Sequence, residues 1–116
     1  MSEDTEDSLI LQAKKNFIFD DYESSIKIID QVLSKFPNSQ NNSTYILFRA
    51  ICNYKLHKFD LSLKDFDILD KDEKYKKDFN YYLCRGKVLF YLSKFVECKM
   101  TLITHYILYH QQIKKV

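Results

Sequence analysis

An all-α fold built from three helical hairpins is what this sequence predicts, on three observations. One Gly and one Pro in 116 residues leave little material for the tight turns of a sheet-rich fold. Apolar residues recur at spacings of three and four along most of the chain, the period of a helix face. Most telling, one stretch repeats: Tyr54-Lys55-Leu56-His57-Lys58-Phe59-Asp60-Leu61-Ser62-Leu63-Lys64-Asp65-Phe66 returns, position for position, as Phe90-Tyr91-Leu92-Ser93-Lys94-Phe95-Val96-Glu97-Cys98-Lys99-Met100-Thr101-Leu102. A weaker copy begins at Asp20-Asp21-Tyr22. Aligning Tyr22, Phe59 and Phe95 gives steps of 37 and 36 residues.

Taken in order, residues 1–7 read as a flexible acidic tail, and residues 8–116 as a single domain with repeats at about 8–39, 43–75 and 78–113. Ser8 is placed to cap a first helix running to about Phe19, with Leu9, Ile10, Ala13 and Phe17 along one face. The Asp20-Asp21 pair breaks it. The second helix, Tyr22 to Lys35, turns Ile26, Ile29, Val32, Leu33 and Phe36 inward, and Pro37 closes it. Ser43 or Thr44 is expected to cap the third, which carries Leu47, Ala50, Ile51, Tyr54 and Leu56. The fourth runs from Phe59 to about Leu69, with Leu63, Phe66 and Leu69 inward. After the charged connection Asp70–Lys77, a fifth helix spans about Asp78 to Leu92. Gly86 sits in its middle, where glycine costs about 1 kcal/mol relative to Ala and marks a close helix contact. The sixth, about Lys94 to Ile113, presents Val96, Met100, Ile103 and Ile107, and is apolar on more than one side.

The totals bound the function. A net charge of +2 with Lys and Glu intermixed gives no concentrated basic face, so no nucleic-acid partner is expected. No apolar run reaches the roughly 18 residues of a membrane span, so no membrane association is expected. The acidic N-terminal residues do not read as an export signal, which points to the cytoplasm or nucleus. Cys52, Cys84 and Cys98 are odd in number and widely spaced, and are expected to be small buried residues rather than disulfides or zinc ligands.

Six helices in pairs, with a step near 36, resemble tetratricopeptide repeats (TPR), whose unit is about 34 residues of helix–turn–helix. The residues carrying the resemblance are the small residues Ala13, Ala50 and Gly86 in each first helix, and the aromatics Tyr22, Phe59 and Phe95 opening each second helix. Ser25, Ser62 and Cys98 follow, then Ile29, Phe66 and Leu102. The resemblance implies six antiparallel helices in a short right-handed superhelix. It also implies a protein-binding role for the concave groove lined by the first helix of each pair. Groove-facing positions are expected at Ile10, Lys14, Phe17, Leu47, Phe48, Ile51, Tyr54, Leu83, Lys87 and Phe90. That face suits a peptide or helix with hydrophobic anchors and one or two acidic groups. The carboxylate clamp of many co-chaperone repeats would fall on Ile10, Lys14, Phe48, Asn80 and Cys84, and Ile, Phe and Cys lack the charge-assisted donors it needs. Ala13-Lys14-Lys15-Asn16-Phe17, with Arg49-Ala50 and Arg85-Gly86, is similar to the first unit of suppressor-of-G-two-allele co-chaperones. That similarity implies a scaffold linking a chaperone with ubiquitin-ligase components.

Two other classes compete with this reading. An enzyme finds little support: no Gly-rich phosphate loop or Ser-centred elbow is present, and His105 and His110 are five apart rather than the four that suits a helical metal pair. No catalytic, metal or cofactor-binding residue is therefore assigned and no cofactor is expected. Asp65, Asp67 and Asp70 read as a solvated face. The other class is a homodimer: Ile103, Tyr106, Ile107 and Tyr109 on the sixth helix exceed what one groove can bury. Either the chain continues past Val116 to cover them, or a second copy docks there.

Overall fold

The computed structural model describes residues 5–92 and 95–114, with the side chains of 95–98 and 114 set aside. The described residues form six helices and no strands: α1 (Glu6–Ile18), α2 (Tyr22–Lys35), α3 (Asn42–Lys55), α4 (Phe59–Lys71), α5 (Phe79–Tyr91) and α6 (Phe95–Lys114). Met1 to Asp4 of the expected tail lie outside the described residues, as do the side chains of Phe95, Val96 and Cys98. Each helix packs on the next, and α3 also touches α5. The result is elongated, 52 × 33 × 25 Å.

Local chemistry explains the helix ends, and corrects two of them. α1 starts three residues earlier than a cap at Ser8 suggested. Thr5 is the cap, and Ser8 closes a reciprocal capping box: the Ser8 N–H donates to Thr5 Oγ1 at 3.1 Å and the Thr5 N–H to Ser8 Oγ at 3.0 Å. α2 and α5 are capped by Asp21 and Asp78, whose carboxylates accept from the N–H groups of Ser24 and Tyr81. α3 begins at Asn42, ahead of the expected Ser43 or Thr44, with Asn41 as a cap that makes no side-chain bond to its own helix. The side chains there are engaged elsewhere: the Asn41 amide donates to Glu6, and the Ser43 hydroxyl to Asp72.

The repeat seen in the sequence has a repeated geometry. Ser25 Oγ donates to the Ala13 carbonyl, and Ser62 Oγ to the Ala50 carbonyl, both at 2.8 Å and both buried. A small residue on the first helix lets the second approach closely enough for its hydroxyl to reach a backbone carbonyl. The turns match too. Asp20 (φ 62°) and His57 (φ 61°) adopt the left-handed conformation after α1 and α3. Behind them the N–H groups of Asp21 and Lys58 reach back to the carbonyls of Asn16 and Asn53, both at 2.8 Å.

Two cores follow from this stacking. Leu9, Ile10, Ala13, Ile29, Val32, Tyr45 and Cys52 form one; Ala50, Leu63, Phe66, Leu69, Tyr81, Val88 and Leu89 form the other. α3 supplies residues to both. Gly86 is a contact point, as its position in mid-helix predicts: a Cβ there would lie 3.3 Å from Leu102 Cδ2. No described helix is long and apolar enough to cross a membrane.

Candidate partner-binding surface

The residues expected to line one groove fall into different neighbourhoods. Tyr54, Leu83, Lys87 and Phe90 come together with Gly86, Tyr91 and Leu102 around a hollow of about 290 Å³ between α3, α5 and α6. Gly86 opens that hollow because it has no side chain to fill it. Phe90 is 63% exposed at the rim, and Tyr54, half-buried, packs against Phe59 and Tyr91 at 5.8 and 6.2 Å. Phe59 and Tyr91 stack in turn at 4.9 Å. The rim is cationic: Lys87 and Lys55 act to lower the Cys84 thiol, although its burial outweighs them and its pKa rises. Burial likewise raises the Tyr54 hydroxyl above its ordinary value.

Phe17 and Phe48 form a separate contact, edge to face at 5.5 Å, where α1 meets α3. Leu47 and Ile51 are half-buried and Lys14 is exposed. Ile10 departs from the expectation: it is 7% exposed and belongs to the first core, so it offers no open surface. The reason is its register, since Leu9, Ile10 and Ala13 all turn toward α2 and α3.

On α6, Ile103, Tyr106, Ile107 and Tyr109 are all exposed, with Tyr106 at 61%. Of that helix's described side chains only Thr101 is buried. His105 lies against Phe79 and His110 against Tyr106. Cys52 is buried in the first core, which pushes its thiol up to about 12.

Several polar groups escaped the sequence reading. Asp65, expected in solvent, is buried and takes a two-pronged grip from Arg49 at 2.9 Å (Nε) and 2.7 Å (Nη2). Arg49 Nη1 also reaches Asp30 on α2 at 2.9 Å, so one guanidinium joins three helices. The hydrogen bonds it donates to Asp65 and Asp30 raise its pKa further, against the opposing effect of burial. Asp70 is likewise engaged: it pairs with Arg85 at 3.0 Å and accepts from the Tyr81 hydroxyl. Arg85 Nη1 donates to Thr101 on α6 at 2.6 Å, so it too spans three helices. Asp67 and Asp70 both stay exposed. A signal was present: the chain has just two arginines among its 18 basic residues, 36 positions apart, each preceding a small core residue.

Glu6 is the other omission. Its Oε2 accepts from Tyr45 at 2.6 Å, Ser39 at 3.0 Å and Asn41 at 3.3 Å. The Tyr45 bond is the leading cause that holds the Glu6 carboxyl below its ordinary value. The end of α1 is thereby tied to the start of α3. Set against protein-family models and curated proteins, this chain has no match to either.

Proposed function

We propose that this chain is a TPR-type protein-interaction module, without catalytic activity, that holds a peptide or helix on the face carried by α1, α3 and α5. The observation that supports it best is the hollow of Tyr54, Leu83, Lys87 and Phe90, apolar within and cationic at its rim. Exposed aromatics around a concavity, with a lysine to meet an acidic group, are anchor chemistry. The matched Ser25–Ala13 and Ser62–Ala50 bonds support the three-repeat superhelical reading. The similarity to suppressor-of-G-two-allele co-chaperones extends the proposal to a scaffold between a chaperone and ubiquitin-ligase components, with no carboxylate clamp involved.

Affinity capture with the native chain and with Phe90→Ala/Lys87→Glu, followed by calorimetry on each captured partner, tests the reading. Partners of the native chain should bind the variant at least about tenfold more weakly. Equal binding would reject the hollow as the site.

The exposure of Ile103, Tyr106, Ile107 and Tyr109 favours a second reading, a homodimer through α6. Sedimentation equilibrium should then show a dimer that Tyr106→Lys/Ile107→Lys converts to monomer. A monomer at every concentration would remove this reading and leave the first untouched.

A further inference from the structure

A second cleft, of about 620 Å³, lies between α2 and α4 above α3, and shares no lining residue with the hollow. It exists because α2 and α4 each pack on α3, leaving a channel along their line of separation. Its walls are apolar, with Ile26 from α2 and Leu61 and Ile68 from α4, the last two 47% and 48% exposed.

Three observations say what suits it. Arg49 lines the cleft, but its charge is taken up by Asp30 and Asp65. Lys27, Lys58 and Lys64 also line it and have no ion pair among the described residues. Glu23, Asp30 and Asp65 line it as well, so the whole lining is four cations against three carboxylates, a net +1, and among the described residues the three lysines are the lining cations outside an ion pair. Finally, Asn53 is 4% exposed, lines the cleft, and its side-chain amide has no hydrogen-bond partner among the described residues. That amide, open to the cleft, offers both a donor and an acceptor to whatever enters.

We propose that this cleft binds an extended acidic peptide segment with aliphatic side chains at alternate positions. A helix uses its backbone groups internally, whereas an extended chain presents the N–H and C=O that match the Asn53 amide. Successive side chains of an extended chain point to opposite sides. One set reaches Ile26, Leu61 and Ile68; the carboxylates face Lys27, Lys58 and Lys64.

Blocked dodecapeptides in which Asp or Glu alternates with Leu, Ile or Val serve as probes, with matched peptides carrying Lys for the acids. They are titrated into the isotope-labelled 116-residue chain and followed by amide shifts and fluorescence anisotropy. The acidic set should saturate, move signals of α2 and α4, and shift the Asn53 side-chain amide. Lys58→Glu/Lys64→Glu changes two exposed residues, so the fold should persist by circular dichroism. Binding should fall at least about tenfold in that variant and weaken with added salt. Asn53→Leu should weaken binding with the lysines intact. The proposal is overturned if no acidic peptide saturates by about 1 mM, if the Lys peptides bind as well, or if the shifts fall on the Tyr54–Phe90 hollow.

Discussion

Glu6 gathers three hydrogen bonds from residues 33 to 39 positions away, so a single carboxylate near the start of the chain fixes how α1 meets α3. Its folded pKa is lowered, so the stabilisation is fully present above the ordinary carboxyl range and is lost as pH falls through the folded value. Melting curves of the native chain and Glu6→Gln should therefore differ most near neutral pH and converge in acid. A difference that stayed constant across the range would mean that the charge on Glu6 contributes nothing. This contact was invisible in the sequence because it depends on tertiary approach: Glu6 looked like part of a solvated acidic run, and nothing local distinguishes it from Asp7. By contrast Ala13, Ser25, Ala50 and Ser62 were legible, since packing at a fixed register repeats where the register repeats.

At the scale of helices, the boundaries of α2 and α4 to α6 lie within about two residues of those expected, while α1 starts early because Thr5 takes the cap in a box with Ser8, and α3 moved where side chains outside the helix engage its capping groups. The larger misreading was Asp65 on α4, since Asp67 and Asp70 are exposed as expected. Helical periodicity marks apolar residues as inward and polar ones as outward, and it has no term for a carboxylate drawn inward by an arginine on the neighbouring helix. Arg49 makes that burial tolerable. Arg49→Leu leaves the Asp65 carboxylate buried and unpaired, and should cost about 3 kcal/mol in chemical denaturation. Arg49→Leu/Asp65→Leu should recover to within about 1 kcal/mol of the native chain, because two apolar residues can replace a buried pair. If the double variant were as unstable as the single one, the destabilisation would come from lost packing rather than from a stranded charge.

Across the whole molecule, stability is a sum of neighbour contacts, as expected of stacked hairpins. α3 contributes to both cores, whereas α6 packs chiefly on α5 and leaves most of its described side chains in solvent. Amide hydrogen exchange should accordingly be slowest in α3 and fastest, among the helices, in α6. Equal protection in both would indicate that another copy covers α6 in solution. The hollow was partly legible in the sequence, and the cleft was not. Tyr54, Leu83, Lys87 and Phe90 follow from the repeat, but the cleft arises between α2 and α4, which are not consecutive in the chain, so no local pattern announces it.

α3 has one more property. Asn53 borders the cleft and the next residue, Tyr54, borders the hollow. A small roll of this one helix therefore alters both openings together. A ligand in either that favours one roll angle changes the affinity of the other, and thermodynamic linkage makes the effect equal in both directions.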